Sequence, residues 1–164
     1  MRSHRAFTDD PSTSSVKVPV TLDHAARATF SANLANNDID LYVVYDANND
    51  GDFTLGEIVG ASATATGDES VELVNPPDGN YQVWVHGWAV AGSPTFPLTI
   101  FPVQGNDLQV TGVPSGPVDA GTPVTLSVRF QREMDPGEDY FGELQLGPPA
   151  APGALSVPIT VHRQ

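Results

Sequence analysis

Asp46, Asn48, Asp50, Asp52, Thr54 and Glu57 fall within one short stretch, Asp46-Ala47-Asn48-Asn49-Asp50-Gly51-Asp52-Phe53-Thr54-Leu55-Gly56-Glu57. Oxygen is the only donor these side chains share, and their spacing can aim it at one point. As the chain coils, Asp46, Asn48 and Asp50 turn carboxylate and amide oxygens inward. Gly51 permits the sharp turn that follows, Asp52 offers its backbone carbonyl, Thr54 can hold a water, and Glu57 closes the shell with both oxygens. The stretch fits the pattern D-x-[DN]-x-[DN]-G-x5-E at every fixed position. A shell of about 6–8 hard oxygens suits calcium. The competing reading is an acidic, Asn-rich surface turn that holds no metal.

The flanks decide what such a loop could do. Ahead of it, Ile39, Leu41, Val43 and Tyr45 alternate with Asp38, Asp40, Tyr42 and Val44, the period of a β-strand. Behind it, Ile58-Val59-Gly60-Ala61-Ser62-Ala63-Thr64 is small and β-tolerant, with no helical stripe. The loop therefore joins two strands. A calcium sensor works by swinging helices apart, so a metal held here acts as a staple.

A second group that could bind something is aromatic. In Tyr81-Gln82-Val83-Trp84-Val85-His86-Gly87-Trp88, the residues Trp84, His86 and Trp88 share one face, opposite Tyr81, Val83 and Val85. Aromatic rings on a sheet can stack on sugars or hold peptide side chains. Equally, Trp84 can be core with His86 satisfied at the rim, or the face can pack against a second domain. Asp68-Glu69 and the acids from Asp135 to Asp139 read as solvated turns.

Composition narrows the classes. The 164 residues carry 20 acids against 7 bases, a net charge of −13. That argues against nucleic acid and against docking on an anionic membrane. No apolar run reaches the length of about 18 residues that a membrane helix needs, so membrane insertion is not expected. There is no cysteine, which excludes disulfides, and extracellular calcium could stabilise the fold in their place. Met1-Arg2-Ser3-His4-Arg5-Ala6-Phe7 is basic but lacks the apolar segment of a signal peptide. The chain thus reads as a piece of a longer secreted or cell-surface protein.

Glycine and proline, 15 of each, mark frequent turns and an all-β fold. Residues 1–15 read as a flexible lead-in. Residues 16–104 read as a β-sandwich of about seven strands: Val16–Leu22, Ala26–Leu34, Asp38–Tyr45, the exit strand after the loop, Ser70–Val74, Tyr81–Trp88 and Phe96–Val103. Pro19, Pro97 and Pro102 place their strands at edges. Residues 105–164 read as a smaller β unit with strands Leu108–Thr111, Val124–Phe130, Tyr140–Leu146 and Leu155–His162. At this size it has little core of its own.

The order of several motifs resembles a known arrangement. Asp38-Ile39-Asp40-Leu41-Tyr42-Val43, Gly60-Ala61-Ser62-Ala63-Thr64, Glu69-Ser70-Val71, Pro76-Pro77-Asp78-Gly79-Asn80-Tyr81 and Val83-Trp84-Val85-His86-Gly87-Trp88 resemble the bacterial pre-peptidase C-terminal domain. Asn106-Asp107-Leu108-Gln109-Val110-Thr111, Gly121-Thr122-Pro123-Val124-Thr125-Leu126 and Asp135-Pro136-Gly137, followed by Tyr140-Phe141-Gly142, resemble the fibronectin type III-like end of bacterial subtilisin-like proteases. The resemblance covers about residues 16–163. It implies a jelly-roll-like sandwich followed by a small fibronectin type III-like unit, attached to a secreted serine peptidase. The calcium loop departs from it, since that family usually has a short turn there.

No Gly-Thr-Ser-Met-Ala or Gly-x-Ser-x-Gly nucleophile motif occurs, and His4, His24, His86 and His162 are too scattered for a zinc motif. The reading that follows is a non-catalytic, calcium-stabilised accessory region that aids stability, secretion or substrate capture. Its partner would be the parent peptidase domain or an extracellular protein or glycan. The alternatives are a carbohydrate- or protein-binding module and a structural adhesin or filament subunit.

Overall fold

Alternating apolar residues become strands throughout the computed structural model, which describes residues 10–148, 151 and 153–164. The chain divides into two compact units, residues 1–102 and 103–164, where the sequence reading put the division at 104/105.

The first unit is an all-β sandwich. Strands β1 (Val16–Leu22), β2 (Ala25–Asn33), β3 (Asp38–Tyr45), β4 (Ile58–Ser62), β5 (Asp68–Val74), β6 (Gly79–Ala89) and β7 (Leu98–Gln104) form two sheets. One has the order β1-β6-β3-β4 and the other β5-β2-β7. Both strands that carry proline, β1 with Pro19 and β7 with Pro102, are edge strands, where a missing N–H breaks no ladder. The core lies between the sheets. Leu41, Val43, Tyr81, Val83 and Val85 from the first meet Ala28, Phe30, Ala32 and Val71 from the second. This is the alternation expected from the sequence, including Ala26–Leu34, where period two prevails over the helical preference of alanine.

The passage from β4 to β5 carries the chain from one sheet to the other. Two features hold it. Gly60 has no side chain, and a Cβ there would lie 2.5 Å from Val71 Cγ1. Glu69, fully buried, accepts hydrogen bonds from Ser62 Oγ, Thr64 Oγ1 and, at 3.1 Å, Thr64 N–H. The carboxylate at Glu69 is thus a clamp on the turn between the sheets, not the solvated group that its acidic neighbourhood suggests.

The lead-in also differs from expectation. Residues 1–9 lie outside the described residues, but residues 10–15 are structured. Asp10 caps a 3-10 turn, Pro11–Thr13, by accepting the Ser12 N–H at 2.9 Å, and this turn packs against β6. Proline at the start of the turn has no N–H to leave unsatisfied.

In the second unit β8 (Leu108–Thr111) pairs with β9 (Ser127–Phe130), and β10 (Asp139–Leu146) pairs with β11 (Leu155–His162), all antiparallel. β9 begins at Ser127 and not at the expected Val124, because its partner β8 is only four residues long and ends at Thr111, opposite Ser127. Phe130 and Tyr140 lie 5.5 Å apart between centroids, and the Arg132 guanidinium sits 4.9 Å from the Tyr140 ring. Among the described residues of this unit, Met134 is the only buried apolar side chain. Its core is as thin as its length implies.

Candidate calcium loop and the outer sheet face

The 46–57 loop leaves the end of β3 and returns as β4, so two adjacent strands fix its ends. Asp46 is 2% exposed, and its carboxylate is aimed across the loop. Oδ1 accepts the Asp50 N–H at 3.1 Å, and Oδ2 accepts the Gly51 N–H at 3.1 Å. Asn48 Oδ1 takes a second bond from the Asp50 N–H at 2.9 Å, while Asp50 Oδ1 accepts the Asp52 N–H at 2.8 Å. Each polar residue therefore folds the backbone that follows it. Two residues enter the left-handed region, Asn49 at φ 57° and Gly51 at φ 83°. Asparagine and glycine are the residues that tolerate it.

The loop closes on a single 3-10 turn, Leu55–Glu57. Glu57 Oε2 accepts both the backbone N–H and the hydroxyl of Thr54 at 3.0 Å, a capping box. This sets the Glu57 carboxylate back towards the start of the turn. Carboxylate, amide, hydroxyl and carbonyl oxygens are all hard donors, so the set fits calcium chemically. The carboxylates of Asp46, Asp50 and Glu57 are not drawn together. Among the described residues only Asp23, His24 and Asp78 bring three such ligand atoms within 4.8 Å of one another.

That second cluster joins residues far apart in sequence. His24 Nδ1 lies 2.6 Å from Asp23 Oδ1 and 3.8 Å from Asp78 Oδ2, and the His24 backbone N–H donates to Asp78 Oδ1 at 2.6 Å. His24 adopts φ 51° to make these contacts. The hydrogen bond to Asp23, then the charges of Asp78 and Asp23, hold the imidazole pKa above its usual value. All three residues are exposed. Only the Asp23-His24 pair is visible in the sequence, because Asp78 arrives from the turn before β6.

The three aromatic-face residues part company in the structure. Trp84 is 0% exposed, so it cannot touch a ligand directly. The ammonium of Lys17, opposite it on β1, lies 4.5 Å from its ring centroid. Its indole N–H donates to Gln82 Oε1 at 2.6 Å. His86 is also buried, with no partner for Nε2. Trp88 alone is exposed, at 41%. It sits at a β-bulge: Ile39 pairs with Gly87 and Asp38 with Ala89, which leaves Trp88 as the extra residue.

Beside Trp88 lies a hollow of about 310 Å³, lined by Asp38, Asp40, Tyr42, Thr64, Trp88 and two alanines. Asp40 is 6% exposed, and Tyr42 donates its hydroxyl to Asp40 Oδ2 at 3.2 Å. Burial pushes the Asp40 carboxyl above the usual carboxylate range, the Tyr42 bond opposes this, and the Asp38 charge adds to it. Asp38 Oδ1 is buried without a partner. Comparison with family models, curated proteins and solved structures returns no match.

Proposed function

We propose that the chain is a non-catalytic β-sandwich module whose first unit is stapled by calcium at the 46–57 loop. The observation that carries the reading is the Asp46 carboxylate, buried and oriented by the N–H groups of Asp50 and Gly51 at 3.1 Å each. A loop that spends its backbone donors to hold one carboxylate inward is prepared for a cation. Asp46, Asn48, Asp50, the Asp52 carbonyl and Glu57 would hold the ion. A divalent charge would offset the mutual repulsion of the acids and draw Asp50 and Glu57 inward. With strands on both sides, binding would lock the β3–β4 connection and not move a helix.

The resemblance to the pre-peptidase C-terminal and fibronectin type III-like units supports a role as the accessory region of a secreted peptidase. Calcium at extracellular concentrations would then serve stability or secretion, with the parent peptidase domain as the natural partner. Exposed Trp88 beside an acidic hollow favours a second reading, a binding module that captures a ligand for its parent. Calorimetric titration of the chelator-treated protein with calcium tests the first reading. One saturable site, lost in Asp50→Ala, is the expected result, and no heat of binding would overturn it. A peptidase domain encoded in the same open reading frame would support the parentage.

A further inference from the structure

We propose that the hollow bounded by Asp38, Asp40, Tyr42, Thr64 and Trp88 binds a primary alkylammonium group, the chemistry of a lysine side chain on a partner or of a free polyamine. The inference is independent of calcium at the 46–57 loop. Four observations carry it.

The first is charge. Two carboxylates line the hollow and no basic side chain does. Asp40 is held at 6% exposure, where a charged group is costly. His86 stands opposite it in the strand ladder and offsets part of that cost. Asp38 Oδ1 is buried with no donor at all. An ammonium brings three N–H donors and a positive charge to such a site.

The second is the aromatic wall. Tyr42 and Trp88 both line the hollow. Trp88 lies on the side of Asp40 and Tyr42, whose partners on β6 are His86 and Trp84, and is 41% exposed. An indole beside two carboxylates is the combination that recognises organic cations, by cation–π attraction together with ion pairing.

The third is size. At about 310 Å³ the hollow is at the small end of ligand sites and can take an ammonium with its alkyl stem. Asp38, Asp40 and His86 do not bring three ligand atoms within 4.8 Å of one another, as Asp23, His24 and Asp78 do. A bare metal ion would therefore be poorly wrapped here.

The fourth is rigidity. Thr64 is fixed in the wall by its bonds to fully buried Glu69. Its hydroxyl is already engaged with that carboxylate and with Thr66. The wall thus presents acceptors more than free donors, which favours a cation over a neutral sugar.

The test uses the full chain in calcium-saturated buffer, so that the loop site is constant, and again in chelator, so that the two proposals are scored separately. The probes are 1,5-diaminopentane and an acetylated, amidated lysine tripeptide, each at constant ionic strength. The readouts are tryptophan emission and backbone amide chemical shifts. A saturable response confined to residues 38–42, 63–65 and 88 is expected for at least one probe. Asp38→Asn should weaken it at least tenfold, and Trp88→Phe should abolish the emission change while the amide shifts remain. Asp119→Asn, which removes an exposed charge in the other unit, should leave affinity unchanged. A response to the peptide assigns a lysine-bearing partner, and a response to the diamine alone assigns a free amine. The proposal is overturned by no saturable response to either probe, by full affinity in Asp38→Asn with native thermal melting, or by an equal response to sodium or to a neutral pentitol.

Discussion

Gly51 donates its N–H to Asp46 Oδ2 at 3.1 Å from a backbone at φ 83°, so the carboxylate that begins the loop is aimed by the residue that turns it. The two roles can be separated. A Cβ on Gly51 would meet nothing within 4 Å, so Gly51→Ala costs only the left-handed backbone, about 1–2 kcal/mol, with or without calcium. Asp50→Ala should instead remove the calcium effect. Binding to the native state alone stabilises by about 2.7 kcal/mol at about 100-fold excess over Kd. Thermal melting in millimolar calcium and in chelator checks both. A melting temperature that ignores calcium would sink the staple.

The loop was legible in the sequence because its donors are local, each within a few residues of the next. Strands were legible for the same reason: β1, β3, β8 and β11 fall at the bounds their alternation suggests. What was not legible is what non-local pairing builds. The hollow joins Asp38 and Asp40 on β3 to Thr64 and Trp88 from neighbouring segments. Alternation groups Asp38, Asp40 and Tyr42 on one face of their strand and Trp88 with His86 on one face of another, but does not reveal that these two strands are neighbours. Alternation leaves Trp84 open between core and outer face, and the structure buries it, on a strand against which the turn at residues 11–13 packs.

Glu69 offers a test of the passage between the sheets. It is fully buried, and Ser62 and Thr64 both donate to it. Hydrogen bonds to charged groups contribute about 1.5–3 kcal/mol each in net terms, and orphaned donors cost about 1–3 kcal/mol. Glu69→Ala should therefore destabilise the first unit by about 3 kcal/mol or more, measured by urea denaturation. Glu69→Gln, which keeps one acceptor, should lose less. Equal stability of Glu69→Ala and the parent would contradict the clamp.

The two tryptophans should be spectroscopically distinct. Trp84 has no exposed surface and Trp88 is 41% exposed. Trp88→Phe should leave a blue-shifted emission that acrylamide barely quenches. Removing Trp84 as Trp84→Phe should leave the red-shifted, quenchable component and lower stability by about 1–3 kcal/mol, because the packing around the indole is lost. Strong quenching of the Trp88→Phe protein would show that Trp84 is not covered as described.

His24 gives a pH prediction with a defined sign. Asp23, then Asp78, raise its pKa above the ordinary histidine value. Its folded-state contribution is then fully present below the unfolded pKa of 6.5 and is lost as pH rises through the higher folded value. The imidazole is exposed, so the effect on stability is small, and proton NMR is the better measurement. Its titration midpoint should stand above those of free histidine and of Asp23→Asn. A midpoint that does not move in Asp23→Asn would remove the assigned cause.

Asp40 reverses the usual carboxylate behaviour. Burial raises its pKa above the ordinary value of 3.8, against the Tyr42 hydrogen bond. Its contribution to stability is therefore fully present below 3.8 and is lost as pH rises through the higher folded value. At neutral pH the ionised side chain is a burden on the fold, and Asp40→Asn should be more stable than the parent. The difference should shrink as pH falls through the carboxylate range and vanish once Asp40 is protonated. Urea denaturation at neutral and acidic pH measures it. If Asp40 also serves the alkylammonium site, the more stable Asp40→Asn protein should bind diamine or lysine peptide more weakly than the parent. A residue that lowers stability and raises affinity is placed for binding, whereas loss of stability in Asp40→Asn at neutral pH would mark the carboxylate as structural.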